Sequence, residues 1–199
     1  MLQTVIFIGR SGCGKGTQAT LLRERIYRLD PEKRQILYVE TGERFRQFIR
    51  GESFSSKLSK LVYENDDRQP DFLACSMWTN MLLSELDENM HIIFDGAPRA
   101  LSEAAMLTSA FTFYKREKPT VIYLSVSRDW SEKRLLSRGR ADDFRLAKIE
   151  KRLDWFDKDV MPAVEYFKKN PFYRFFDVNG EQSVEQVHAE IIAAHDYSA

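Results

Sequence analysis

Cysteine is scarce in this chain of 199 residues, which holds only Cys13 and Cys75. Two thiols cannot build a disulfide framework or a four-cysteine zinc site. With no signal peptide ahead of the first apolar run, they point to a reducing compartment. Proline and glycine are also sparse, at six and nine, which excludes a collagen-like or linker-rich chain. Neither sign of charge is in excess, with 30 basic and 30 acidic residues. The basic surplus of a nucleic-acid or membrane-surface binder is therefore missing. No apolar run is long enough to span a bilayer. His91, His188 and His195 are scattered and form no metal-ligand cluster. There is no internal repeat and no low-complexity tract. A soluble, cytoplasmic protein is the expectation.

Hydrophobic residues make up 43% of the chain and charged residues 30%, the balance of a folded domain rather than a disordered one. The length suits a single core. Short apolar runs at 1–9, 35–39, 91–94, 120–126 and 173–178 read as buried strands. Helical spacing separates them at 15–29, 72–86, 101–114 and 142–169, and Ser183 is placed to cap a last helix over 183–195. Pro162 should kink or split the long helix. Alternation of apolar strands with helices predicts an α/β fold, a parallel sheet covered on both faces. The segment 40–90 exceeds what one crossover needs. Its surplus helices, over about 41–70, predict an insertion above the carboxyl edge of the sheet, where open α/β folds bind ligands.

The strongest motif is Gly9-Arg10-Ser11-Gly12-Cys13-Gly14-Lys15-Gly16-Thr17. It follows the first strand and precedes the first helix, the context of a phosphate-binding loop. Small residues let backbone N–H groups curl around a phosphate, and the helix adds its partial positive charge. Lys15 supplies a mobile cation for terminal phosphates. The residue straight after the lysine is Gly16, and the hydroxyl comes one later, on Thr17. Magnesium would then keep more of its water, held by nearby carboxylates. Cys13 reads as a small loop residue.

Three further segments follow in order: Thr41-Gly42-Glu43-Arg44-Phe45-Arg46, Asp95-Gly96-Ala97-Pro98-Arg99, and Arg134-Leu135-Leu136-Ser137-Arg138-Gly139-Arg140-Ala141-Asp142-Asp143. Together with the Gly-Lys-Gly-Thr loop they resemble the adenylate kinase family of nucleoside monophosphate kinases, over essentially the whole chain. The resemblance implies a P-loop fold with a five-stranded parallel sheet of order 2-3-1-4-5 and helices on both faces. It implies transfer of the terminal phosphoryl group of ATP to a nucleoside monophosphate, with Mg²⁺, AMP being the acceptor expected and a monomer the usual state. Residues 41–69 would form the monophosphate-binding insertion. Residues 138–143 would be a short lid without the zinc-binding cysteines of the long form.

The resemblance assigns roles position by position. Gly12, Cys13, Gly14, Lys15, Gly16 and Thr17 would hold ATP, with Arg134 stacked on its adenine and Arg138 and Gln182 beside it. Arg46 and Arg99 would grip the acceptor phosphate, and Thr41, Gln69, Gly96 and Glu103 would surround the acceptor. Arg138, Arg140 and Arg152 would surround the transferring group, with Lys151 the rival of Arg152. Asp95, with Glu43 and Asp143, would hold magnesium through water. Physics asks for such a set, because the loose transition state spreads charge over oxygens that arginine forks fit.

Four positions depart from the family pattern. Glu43 replaces an aspartate. Ala97 replaces an aromatic and is expected to open space beside the acceptor. Asp66-Asp67-Arg68-Gln69 replaces glycine and apolar residues, and Glu103 replaces a glutamine that reads adenine. An ionised glutamate only accepts hydrogen bonds, which would suit guanine or cytosine, whereas Thr41 favours adenine. Glu103 is read either as a base-reading residue or as a surface residue near a helix start. The alternatives left open are a kinase for another monophosphate such as GMP or CMP, a kinase for a non-nucleotide, and a weakly catalytic nucleotide sensor. Trp78, Trp130 and Trp155 are expected to pack, and the charges over 154–169 to form a solvated helix face.

Overall fold

A computed structural model describes residues 1–65, 67–138 and 146–195. Five strands form one sheet of order β2-β3-β1-β4-β5, and every pairing is parallel. They are β1 (Thr4–Gly9), β2 (Ile36–Glu40), β3 (His91–Asp95), β4 (Thr120–Ser125) and β5 (Arg174–Asn179). The helices are α1 (Lys15–Leu29), α2 (Thr41–Phe48), α3 (Phe54–Glu64), α4 (Asp71–Glu85), α5 (Leu101–Phe113), α6 (Arg128–Arg138), α7 (Leu146–Trp155), α8 (Met161–Lys169) and α9 (Val184–His195). All five expected strands form. The surplus between β2 and β3 resolves into α2 and α3, followed by the crossover helix α4.

β1 sits at the centre because it is apolar on both faces. Val5, Ile6 and Phe7 are wholly buried, and alternate side chains feed the two sides of the sheet. Ile6 and Ile8 join a core with Ile92, Phe94, Trp78, Phe111 and Phe167. Val5 and Phe7 join another with Leu22, Ile93, Ile122 and Ile191. Such double coverage is what a near-continuous apolar strand requires.

Pro162 does not split the long helix. A π-helical turn, Phe156–Val160, carries the chain from α7 into α8, and the Met161 N–H reaches the Phe156 carbonyl. Pro162 then falls at the start of α8, where its missing N–H costs little. The charges here form a largely exposed face, as expected, but three of them also reach neighbouring elements. Asp157 pairs with Arg10, Asp154 with Arg128, and Asp159 with Arg68. Trp78 packs as expected, wholly buried, with its ring edge-on to Phe94 at 6.0 Å.

Phe94 also meets Phe111 edge-on at 5.7 Å, so it joins α4 and α5 to the sheet. Phe94→Ala should lower stability by about 3–5 kcal/mol, read as a shift in the urea midpoint. A loss below about 1 kcal/mol would show that this aromatic cluster is not the keystone of that core.

Candidate functional site

The carboxyl ends of β1, β2 and β3 open into a cavity of about 1350 Å³. The loop after β1 forms one wall, through Gly12, Gly14, Lys15, Gly16 and Thr17. Gly14 ends it with φ +97°, a left-handed conformation that suits glycine. Gly9 is glycine for a different reason: a Cβ there would lie 2.7 Å from the Leu124 carbonyl oxygen and 2.8 Å from Cys13 Sγ. Helix α1 has no side-chain cap and no acidic residue in its first turn. Its leading N–H groups therefore keep their capacity for an anion. Lys15 Nζ donates to the carbonyls of Gly9 at 2.7 Å and Arg10 at 2.9 Å. Cys13 is buried rather than on the wall. Its N–H closes a turn on the Arg10 carbonyl at 3.2 Å, and its Sγ lies 3.6 Å from Lys15 Nζ.

The opposite wall comes from α2, the segment before α4, and the loop after β3. Thr41, 3% exposed, donates its hydroxyl to the Gly96 carbonyl at 3.0 Å. Arg99 donates Nε to the same carbonyl at 2.7 Å. Its guanidinium opens to the cavity, and the protein around it pulls its pKa below the ordinary value by desolvation. Arg46 pairs with Glu43 at 2.7 Å and Glu40 at 3.2 Å. Gln69 holds Ser59 of α3 with both ends of its amide, at 2.8 and 2.9 Å, and still lines the cavity.

Glu103 does not sit on the surface. It is 1% exposed, lines the cavity and accepts the Arg99 N–H on Oε1 at 3.2 Å. As third residue of α5 it satisfies a backbone donor just before the helix, much as in a capping box. Ala97 does not open space. It is 1% exposed and belongs to the core.

Asp95 Oδ2 accepts the Tyr38 hydroxyl at 2.9 Å, and that burial beside a carboxylate drives the Tyr38 pKa far above the usual phenol range. Gly16 lies against the same oxygen, 3.3 Å from where its Cβ would be. Asp95 thus faces the phosphate loop and fits a hydrated cation, whereas the Glu43 carboxylate is turned to Arg46. Among the described residues no group of three or more His, Cys, Asp or Glu side chains gathers to hold a bare metal ion.

Arg134 lies over the Trp130 ring at 5.2 Å and lines the cavity. Arg152 also lines it. Lys151 instead pairs with Asp67 at 2.6 Å and donates to the Asn65 carbonyl at 2.9 Å. Gln182 is half-buried and bonds Asn179 and Glu190. The side chain of Arg138, together with Arg140 and Asp143, lies outside the described residues.

Sequence reasoning missed Tyr38, Glu40, Arg68 and Trp155, all on the wall. Tyr38 and Glu40 could have been found, because alternation along β2 puts them on one face. Arg68 is held by Asp71, three residues on, at 2.6 Å and by Asp159 at 3.3 Å, and no local pattern announces the second partner.

The family model described as Adenylate kinase matches residues 7–172. An adenylate kinase of Flavobacterium psychrophilum is 33% identical, with 94% of each chain covered. Adenylate kinase 1 of a Nostoc species is 30% identical, covering 95% of this chain and 96% of its own. An adenylate kinase of Azobacteroides pseudotrichonymphae is 32% identical, with 98% of each covered.

Proposed function

We propose that this chain, which belongs to the adenylate kinase family of nucleoside monophosphate kinases, transfers the terminal phosphoryl group of ATP to AMP to give two ADP. The observation that carries the reading is the convergence of Lys15, Arg46, Arg99, Arg134 and Arg152 with Asp95 around one cavity. A site built only to hold a nucleoside would not need so many cations.

The geometry supports a division of labour. The loop of Gly12 to Thr17 and the uncapped start of α1 hold the donor phosphates, with Arg134 beside the donor base. Gln182 adds to the donor side only if the donor reaches past β5. Arg46 and Arg99 take the acceptor phosphate, with Thr41, Gly96, Gln69 and Glu103 around its nucleoside. Arg152, with Arg138 and Arg140, stabilises the oxygens in transfer. α2 and α3 act as the monophosphate-binding insertion and 138–143 as the short lid.

No general base is needed, because a monophosphate oxygen is already the nucleophile. Bound Mg²⁺, with Asp95 holding its water and Glu43 and Asp143 in support, would neutralise charge on the donor phosphates. The acceptor phosphate displaces Glu40 and Glu43 from Arg46. The Lys15 ammonium exchanges the carbonyls of its own loop for phosphate oxygens and follows the moving group. Both exchanges trade weak partners for a multiply charged one. Cys13 and Cys75 are both free thiols, in keeping with a cytoplasmic setting. No helix among the described residues is long and apolar enough to cross a membrane.

A panel of monophosphates with ATP and Mg²⁺, read by diphosphate release, tests the reading. AMP should be the best acceptor. A faster rate with GMP or CMP would move the assignment to another base, and no transfer to any monophosphate would sink it. Lys15→Ala should fold normally by circular dichroism yet lose turnover. Its ATP affinity should fall about 10- to 100-fold, the worth of a charge-assisted bond of about 1.5–3 kcal/mol. Retained turnover in the folded variant would remove the loop from the chemistry. A bisubstrate analogue joining both nucleotides should draw residues 41–69 and 138–143 inward, because transfer must exclude water. Unchanged amide exchange in both segments on binding it would contradict this.

A further inference from the structure

Glu103 is a buried carboxyl group that lines the cavity. It is 1% exposed, and among the described residues it forms no ion pair. Its single hydrogen bond is from the Arg99 N–H to Oε1, at 3.2 Å. Oε2 has no partner among the described residues, while the side chain lines the cavity. The groups facing it are few. Arg99, on the preceding loop, gives its Nε to the Gly96 carbonyl. Arg68, before α4, is engaged by Asp71 and Asp159. From α4 come Asp71, an anion, and Cys75, whose thiol is pushed up to about 11 mainly by burial and stays neutral.

An ionised Glu103 cannot face the phosphates of a substrate, since both are anions. It therefore faces the neutral part of the acceptor, its base. There the proton decides everything. A carboxylate has only acceptors, whereas a carboxylic acid has one donor and one acceptor side by side, the same pair that a primary amide presents. Because Oε1 already accepts the Arg99 N–H, the proton belongs on Oε2.

We propose that Glu103 meets the acceptor base as a neutral carboxylic acid, so that base choice is set by its proton. This rests on the reading of the cavity as a monophosphate site. In the neutral form Oε2–H donates to a bare ring nitrogen and Oε1 accepts from a neighbouring amino group, the paired edge of adenine. In the ionised form the same group repels that ring nitrogen and suits a ring N–H beside an amino group, the edge of guanine. Burial, the first cause, and the Asp71 charge raise the Glu103 pKa, against the Arg99 N–H bond and the Arg99 and Arg68 charges, which lower it. The neutral form therefore persists to higher pH than for an ordinary glutamate. Glu103 replaces an amide without losing its donor, and it adds a pH dependence that an amide does not have.

The test is the ratio of kcat/KM for AMP to that for GMP, from about pH 5.5 to about pH 8.5. The two substrates carry the same phosphate, so its titration cancels in the ratio. For the unaltered protein the ratio should fall as pH rises, by up to about tenfold per pH unit above the Glu103 pKa. For Glu103→Gln the ratio should hold within about twofold, and AMP should gain on GMP only at the alkaline end. A flat ratio in the unaltered protein, or parallel slopes in both, would overturn the proposal. Carbon-13 NMR of the Glu103 carboxyl in the unaltered protein reads the proton directly. AMP should raise its titration midpoint and GMP should lower it, and midpoints that neither nucleotide moves would overturn the proposal without reference to turnover. Absence of transfer to either monophosphate at any pH would instead remove the kinase reading, leaving the carboxyl titration to decide the protonation state.

Discussion

Burial of β1 on both faces and both edges is the constraint from which the site follows. The strand pairs with β3 on one side and β4 on the other, so its backbone groups are satisfied within the sheet. Its apolar side chains fill the two cores. Only its carboxyl end reaches solvent, between the connections that leave to opposite faces, and there the sheet changes direction. A loop at that point is closed in by β4, against which Gly9 packs without space for a methyl group. The loop has to turn within Gly9 to Gly14 and hand over to α1. Its exposed N–H groups and Lys15 then have nowhere to point except into the cavity.

Arg46, Lys15 and Arg134 are each engaged by partners that are easily replaced. Arg46 holds two carboxylates whose side chains are 44% and 47% exposed. Pairs that open to solvent are worth about 0–1 kcal/mol. Lys15 holds two loop carbonyls, and Arg134 rests on an indole. A phosphate offers several charged oxygens at once, and each charge-assisted bond is about twice as strong as a neutral one. Exchange therefore favours the ligand, and the same partners offset the mutual repulsion of the cations. Glu40, which no motif singled out, belongs to this arrangement as much as Glu43 does.

The framework was legible because it depends on local signals. Five apolar runs, the glycine-rich turn and helical spacing each announce themselves within a dozen residues, and parallel pairing follows from burial on both faces. The order of the sheet, by contrast, rested on family resemblance. What stayed hidden depends on partners far along the chain. Asp157, read as part of a solvated face, meets Arg10, and Lys151 meets Asp67. A sequence period reports which side of its own helix a residue occupies, not what the neighbouring element brings. The π-helical turn at Phe156–Val160 is also unannounced, since Pro162 states only that an N–H is missing. Trp155 was assigned to packing because an aromatic on a helix usually packs, whereas its position lines the cavity.

Glu103 shows how two physical rules compete at one position. A carboxylate in the first turn of a helix gains from the helix dipole, by about 0.3–1 kcal/mol at the surface and up to about 2 in partly buried geometry. Sequence reasoning that stops there leaves the group ionised and exposed. Removing a carboxylate from water without a cation costs several kcal/mol, and the single N–H bond from Arg99 recovers only part of that. The nearest cations supply only part of the rest: Arg99 and Arg68 both favour the carboxylate, but Arg68 is divided between Asp71 and Asp159 and the net direction of the Glu103 pKa is upward. Burial therefore outweighs the dipole, and the group keeps its proton beyond the range of an exposed glutamate. The segment around Arg68, which departs from the family pattern, belongs to the same balance. Its arginine pairs with Asp71 and ties α4 to the π-helical turn, and its charge, divided between those partners, offsets the burial of Glu103 only in part.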